Sequence, residues 1–433
     1  MSFIPGTGNP TRYSSGQMMT SARREPFAQA RPRARHAAVT ICARNYFAQA
    51  LLLQRSFQAQ HPDADFHVVL VDRRDEAFEA RYPDVRITWV EDLGLPHFAA
   101  HALRFDVIEL STNVKPHCLA LLLDRYETAM YLDPDMVVYD VLAPVHEALA
   151  DSAIVVTPAS TTPILDGHRP DDIEFLRVGV FNLGFIAVAR CEEALRFLRW
   201  WSDRCLGHGF HETQVGVFVD QKWVNLAPCY FEGCRILKDP GINMAQWNLH
   251  ERTLSVVGGR YVVNGRTPLR LFHFSSFDPH QPQAIAKRQA RFPEGSRPDL
   301  ARLLDDYAAD LLAAGFDELS RLEYGFDYFP SGEYVSPTLR RLYANPGYGF
   351  SLDEDPFRPE SALLRFARAR RLVGPSIGKA ARMTAGDVSR HGFQIRVLSY
   401  AFRLALRVLG PNRYFLLMRY LAHASSIRNQ PPL

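Results

Sequence analysis

Short apolar runs alternate with amphipathic stretches through the first half of the chain. Residues 37–42 (AAVTIC) read as a buried strand, and an apolar-periodic stretch at 47–60, with Leu51, Leu52 and Phe57, reads as a helix. Further strands are predicted at 66–71, ending before Asp72, and at 86–90. Helical stretches near 101–110 and 116–125 lead to another apolar run, Ala129-Met130-Tyr131-Leu132. Asp133-Pro134-Asp135 stops that run, and Met136-Val137-Val138 resumes it. Pro134 withdraws an N–H, so ladder pairing ends where two carboxylates begin.

Downstream, strands are predicted at 153–157 and 179–188, with a polar loop at 158–174 between them. Helices are predicted at 191–206 and 213–226, and a hairpin at 254–257 and 260–263 over Gly258-Gly259. An apolar run at 269–272 ends at His273. Strand–helix–strand alternation implies an α/β fold with a largely parallel sheet, whose ligands sit at the strands' carboxyl ends. Asn45, Tyr46, Asp72 and Asp133 all fall at such ends. Neither common Gly-rich phosphate loop is present.

The pattern divides the 433 residues into four regions: a disordered leader (1–35), an α/β domain (36–298), a helical, aromatic-rich extension (299–360) and a basic amphipathic helical tail (361–433). Charge sharpens the last boundary. The tail carries thirteen Lys and Arg against Asp387, a net of +12, and the leader six Arg against Glu25, a net of +5. With +3 overall, the body from 36 to 360 is at 3 − 5 − 12 = −14. A basic tail on an acidic body calls for an anionic surface, membrane or nucleic acid. Within 393–409, Arg396, Arg403 and Arg407 fall on one stripe and Ile395, Leu398, Phe402 and Leu406 on another, a pattern shared by helices packed on the domain with solvated arginines and by an interfacial anchor on anionic lipid; the anchor is the reading adopted, with no nucleic acid partner expected. Gly410-Pro411 should break this helix before a second begins near Tyr414.

The six Cys show no disulfide-framework spacing, no apolar leader follows Met1, and no apolar run reaches the roughly 20 residues that span a bilayer. These features imply a cytoplasmic protein, peripheral on the inner face of the membrane. Cys205, His208, His211, Cys229 and Cys234 offer zinc-ligand types without a standard spacing. Asp133 and Asp135 are hard anionic ligands one residue apart, which suits Mg²⁺ or Mn²⁺ with positions left for phosphate oxygens.

Taken in order, Asn45-Tyr46, the DxD of Asp133 and Asp135, Asn182-x-Gly184, Asp220-Gln221 and His273 resemble the retaining GT-A glycosyltransferases of the family-8 type, over roughly residues 37–280. That resemblance implies a nucleotide-diphospho-sugar transferase fold, a Rossmann-like mixed sheet flanked by helices, with a helical extension at its C-terminus. It implies a metal held by Asp133, Asp135 and His273, and nucleoside contacts from Asn45 and Tyr46. Asn182 would contact sugar or acceptor, Gln221 would sit near the anomeric carbon, Asp220 would bind sugar hydroxyls, and Lys115 would face the diphosphate. The implied reaction moves a sugar from a nucleotide-sugar donor, with a lean to a UDP-sugar, to a glycan or lipid-linked acceptor in bacterial surface polysaccharide or lipopolysaccharide synthesis.

The family's Gly and Lys-Pro pair after its histidine are missing here, where Ser275-Ser276-Phe277-Asp278-Pro279 stands instead. Diphosphate charge would then fall to the metal, Lys115, Arg104 or Arg270. Two other classes share some features. A haloacid-dehalogenase-type phosphatase also places DxD after a strand, but that motif normally opens its domain, and Asp171-Asp172 does not follow an apolar strand as a second acidic pair should. A non-catalytic sugar-binding protein could keep the fold, but would not need both carboxylates, Gln221 and His273.

Overall fold

The computed structural model describes residues 27, 35–287, 289–374 and 392–432, apart from the side chains of 393–395. The expected leader therefore lies almost wholly outside the described residues, as does the first part of the tail beyond 374.

The chain runs through β1 (His36–Cys42), β2 (Asp65–Leu70), β3 (Ile87–Trp89), β4 (Thr128–Leu132), β5 (Met136–Val138), β6 (Ile154–Pro158) and β7 (Phe181–Ala189). Two-residue strands β8 (His211–Glu212) and β9 (Val217–Phe218) precede β10 (Cys234–Ile236) and β11 (Met244–Ala245). Then come β12 (Leu254–Val257), β13 (Arg260–Val263), β14 (Thr267–Pro268) and β15 (Leu271–His273). Seven strands form one sheet in the order β10-β6-β7-β4-β1-β2-β3. Every pairing in it is parallel except those of β7, which runs against both β4 and β6. This is the largely parallel α/β sheet that strand–helix alternation implies, made mixed by β7, as the fold class drawn from the resemblance has it.

Alternation along the central strands explains why both faces are covered. In β1, Ala37, Val39 and Ile41 enter one apolar cluster while Ala38 and Cys42 enter the other; in β4, Ala129 and Tyr131 oppose Met130 and Leu132 in the same way. The helix Phe47–Gln60 forms where its apolar spacing places it. The predicted 101–110 helix is two, Phe98–Arg104 and Val107–Asn113, because Asp106 caps the second through a reciprocal capping box with Glu109. Residues 213–226 are not one helix. Gly216 and Val219 take positive φ (86° and 39°), so β8 and β9 fold onto each other around a single 3-10 turn, Thr213–Val215, and Gln221–Val224 is the one α-helical piece within the range, followed by Ala227–Tyr230. The polar loop after β6 ends in a short helix, Asp172–Val178, capped by Asp171.

The extension belongs to the same cores. Leu300, Leu303, Leu304, Tyr307 and Leu311 join one cluster; Tyr324, Phe326, Val335, Leu339 and Phe357 join the other. Asp72, at the end of β2, accepts from the Gly325 N–H at 2.8 Å and pairs with Arg44 at 3.0 Å, fastening this segment to the sheet. Leu363, Leu364 and Ala367 of the helix Ala362–Ala369 are buried in that second cluster, so the core runs past the boundary drawn at 361. Residues 392–424 are helical apart from a break at Gly410 (φ 73°), next to Pro411, and the chain end packs back on the body through Ser426, which donates to Glu212 at 2.8 Å. No helix among the described residues is long and apolar enough to cross a membrane.

Candidate active site

The site lies where the main sheet hands the chain to a smaller one. β4 runs buried between β7 and β1, and the chain then turns at Asp133-Pro134-Asp135, where the Met136 N–H donates to the Asp133 carbonyl at 3.2 Å. β5 leaves the main sheet and pairs with β15 in a three-stranded sheet, β11-β15-β5. Its register sets His273 opposite Met136, and the Phe274 N–H donates to the Asp135 carbonyl at 2.8 Å. This pairing brings a histidine 138 positions after Asp135 beside both carboxylates. The His273 Nε2 lies 3.0 Å from Asp135 Oδ1 and 3.7 Å from Asp133 Oδ2.

One ligand atom from each of Asp133, Asp135 and His273 falls within 4.8 Å of the others, and this is the one such trio of His, Cys, Asp or Glu among the described residues. The zinc-type residues are not gathered in that way; Cys205 is buried and Cys229 exposed. Two carboxylate oxygens and one imidazole nitrogen, the carboxylates only partly covered, form a donor set that fits Mg²⁺ or Mn²⁺ with positions left over. Burial pulls the His273 pKa down, but the carboxylates of Asp135 and Asp133 outweigh it and raise it above the ordinary value.

Close packing makes the trio possible. Gly184 of β7 passes directly beneath it and accepts from the Asp133 N–H at 2.7 Å. A Cβ at Gly184 would meet His273 Cε1 at 2.6 Å and both Asn182 Oδ1 and Asp133 Oδ2 at 2.8 Å. Trp247 packs edge-on against the His273 ring, with centroids 5.1 Å apart. The Tyr131 hydroxyl donates to Asp133 Oδ1 at 2.5 Å, and burial with the Asp133 charge pushes that phenol's pKa well up.

Lys115 does not stand open to a diphosphate. It is 1% exposed, its ammonium 2.7 Å from Asp220 Oδ2, donating to the Leu183 carbonyl at 2.8 Å and lying 4.0 Å from the Tyr131 ring centroid. Its charge is thus matched inside the protein, because Asp220 is itself 2% exposed. Burial raises the Asp220 carboxyl's pKa, with Lys115 pulling the other way. The Asn182 Oδ1 accepts from Gly184 N–H at 3.1 Å and from Asn243 Nδ2 at 3.2 Å. Gln221 accepts from Leu183 N–H and donates to the Val178 carbonyl, both at 3.2 Å, so its amide is clamped to two backbone segments.

Asn45 and Tyr46 occupy the short turn Arg44–Tyr46 after β1, with Tyr46 exposed. Of the alternative cations, Arg270 sits 4.0 Å from Asp239, and Arg104 lines a separate cavity treated below. Tyr131, Asn243, Trp247 and Tyr307, whose ring stacks 3.7 Å from that of Phe274, complete the surroundings. Tyr131 sits inside an ordinary buried strand pattern and the other three in stretches without a motif, so no sequence signal singled them out.

No family model matches the chain. It is 23% identical over 245 residues to the uncharacterized protein YfnF of Bacillus subtilis (strain 168), a match covering 55% of this chain and 80% of that one. Among solved structures it is similar to the galactosyltransferase LgtC in complex with donor and acceptor sugar analogues (15% identity, 64% of this chain and 95% of that one, TM-score 0.40). It is also similar to mouse xyloside xylosyltransferase 1 (13% identity, 55% and 97%, TM-score 0.36).

Proposed function

We propose that this chain is a metal-dependent glycosyltransferase of the GT-A type, moving a sugar from a nucleotide-sugar donor to a glycan or lipid-linked acceptor. The observation that carries this reading is the convergence of Asp133, Asp135 and His273 at the carboxyl end of β4. Around it stand Asn182 and Gln221, two of the polar groups expected to face a sugar, whereas Asp220, expected to bind sugar hydroxyls, is buried against Lys115 behind them. A divalent ion held by the trio would supply positive charge to the diphosphate leaving group as the glycosidic bond breaks.

The chain's own residues do the rest. Asn45 and Tyr46 would take the nucleoside, with the lean to uridine coming from the resemblance alone. Asn182 and Gln221 are held in place by backbone hydrogen bonds, the preorganisation that an oxocarbenium-like transition state rewards. Buried and ion-paired with Lys115, Asp220 is poorly placed to act as a nucleophile, which argues against a double displacement; the front-face, retaining course, in which leaving phosphate helps take the acceptor's proton, comes from the resemblance. Lys115 serves as a positioning residue, holding Asp220 and Leu183 under the site.

The phosphatase reading loses ground, since Asp171 caps a surface helix and forms no second acidic pair beside Asp133. The proposed role is in bacterial surface polysaccharide or lipopolysaccharide synthesis, on the inner face of the membrane. Its anchor would be the helical tail, where Val397, Leu398, Tyr400, Leu404, Val408, Phe415 and Leu416 are at least half exposed among exposed arginines such as Arg403 and Arg407. A donor screen by thermal shift, with and without Mn²⁺, followed by product analysis, tests the reaction. Nucleoside diphosphate should be released from a sugar nucleotide; release of inorganic phosphate, with a phosphoryl group trapped on Asp133, would refute it.

A further inference from the structure

A second cavity, of about 1050 Å³, lies where the end of the helix Glu192–His208 and the end of Phe98–Arg104 meet the extension and the chain terminus. Its wall includes Arg104, Arg204, His208, Trp223, Tyr343 and Arg428, and none of Asp133, Asp135 or His273. Its charge is unbalanced. Arg428 pairs with Glu212 at 2.8 Å, and Arg341, just behind, pairs with Glu109 at 2.5 Å and Glu212 at 2.7 Å. Arg104 and Arg204 form no ion pair with a carboxylate among the described residues; Glu109 acts on Arg104 from a distance, and Glu354 and Asp355 act on Tyr343 in the wall. Arg104 gives one hydrogen bond, to the Gly207 carbonyl at 2.7 Å, and lies over the rings of Phe105 and Phe210.

The orphaned polar atoms have one character. Arg104 Nε, Arg204 Nε and Trp223 Nε1 are buried without a hydrogen-bond partner, and all three are donors. Burial and the neighbouring arginines lower the Arg104 pKa to about 10, and burial with Arg104, Arg204 and Arg428 lowers that of His208. Like charges crowded into a partly desolvated pocket are costly unless an anion joins them. Guanidinium forks match phosphate oxygens two at a time. Beside them, stacked Tyr343 and Phe350, 5.5 Å between centroids, offer an apolar wall for whatever carries the anion.

We propose that this cavity is a second ligand site, separate from the metal trio, that binds a phosphoryl-bearing anion through Arg104 and Arg204. The anion has two possible sources: a free phosphate or diphosphate compound, or the headgroup of an anionic lipid, since Ala422 and His423 at the end of the exposed tail helix also line the cavity. The site stands whether or not the trio performs sugar transfer.

The test uses the full chain in EDTA, with inorganic pyrophosphate as probe and thermal shift and calorimetry as readouts. Pyrophosphate should raise Tm saturably, and Asp133→Asn should leave that shift intact. Arg204→Gln should weaken binding about tenfold or more, the loss expected for a charge-assisted contact. Should Arg204→Gln not fold, Trp223→Phe, which removes the orphan donor and keeps a ring, should weaken binding as well. Vesicles of phosphatidylcholine with and without phosphatidic acid identify the source: binding that needs phosphatidic acid and Arg204, and is displaced by pyrophosphate, marks a lipid headgroup. Pyrophosphate binding that needs Arg204, with vesicle binding indifferent to it, marks a free anion. The proposal falls if neither probe depends on Arg204, or if Asp133→Asn abolishes the shift.

Discussion

Gly184→Ala isolates the geometry of the trio from its chemistry, since it changes no ligand, charge or hydrogen-bonding group. Gly184 lies in β7 with no positive φ, so alanine adopts the same backbone and the whole effect comes from one added carbon. That carbon would sit 2.6 Å from His273 Cε1 and 2.8 Å from Asn182 Oδ1 and Asp133 Oδ2. Ordinary van der Waals contact begins near 3.4 Å, so the histidine ring must retreat by close to 1 Å or the strand must shift. The Trp247 ring, packed edge-on against the histidine with centroids 5.1 Å apart, limits the room for that retreat. Overpacking of this kind costs about 1–3 kcal/mol in stability. Misplacing a catalytic group by about 1 Å costs on the order of 10²-fold in rate.

Gly184→Ala should therefore fold, with a modestly lower Tm, while Mn²⁺-dependent stabilisation weakens and donor hydrolysis falls about 100-fold. Unfolding followed with and without Mn²⁺, and nucleoside diphosphate release from a sugar nucleotide, measure the two effects separately. Unchanged Mn²⁺ affinity together with wild-type turnover would refute the claim that these three side chains act as one site. A variant that loses metal response only in proportion to its unfolded fraction would do so too.

Asp133→Ala and Asp135→Ala should each abolish metal-dependent donor hydrolysis while the chain stays folded, because both carboxylates are partly solvent-facing; full activity of either variant in EDTA would contradict the assignment. Lys115→Met strands the buried Asp220 carboxylate and should destabilise the fold by about 3–5 kcal/mol, whereas Lys115→Met with Asp220→Leu should recover much of that stability and none of the activity, by denaturant unfolding and turnover. Burial holds His61 and His67 near pKa 4, below the unfolded value of 6.5, and Leu142 N–H donates to His61 Nε2 at 3.2 Å, which protonation must break. A depressed histidine pKa contributes stability present above pH 6.5 and lost as pH falls toward 4, so Tm should drop between pH 6.5 and 4.5, less so in His67→Gln; a flat profile there would count against both groups. Truncation after residue 374 should leave a soluble body that no longer sediments with anionic vesicles, while truncation before 361 removes Leu363 and Leu364 from the core and should leave an insoluble one; vesicle sedimentation and solubility decide both.

What the sequence determined by itself is the local framework. Apolar runs bounded by breakers located six of the seven strands of the main sheet, all but the edge strand β10, because a strand covered on both faces must be apolar throughout and must stop where polar groups meet solvent. Gly258-Gly259 specified the hairpin of β12 and β13, and Asp133-Pro134-Asp135 the corner between β4 and β5, since both depend on residues adjacent in the chain. The order of the short motifs, through the resemblance, points to His273, which its own local sequence does not distinguish from a capped histidine at a strand end. Only the tertiary structure decided that β5 pairs with β15, which sets the ring 3.0 Å from Asp135 Oδ1, because register between strands more than a hundred residues apart is fixed by packing rather than by local pattern. Positive φ at Gly216 and Val219 turned an apparent helix at 213–226 into a hairpin and two short turns, a backbone choice that apolar spacing does not encode. Lys115, read from its position as an open cation, is buried because Asp220 is buried beside it, and Leu363 and Leu364 carry the core past 361 because the sheet still had apolar surface to cover. Charge and periodicity tell what a side chain can do; which partner neutralises it, and which surface it covers, depends on what the fold places next to it.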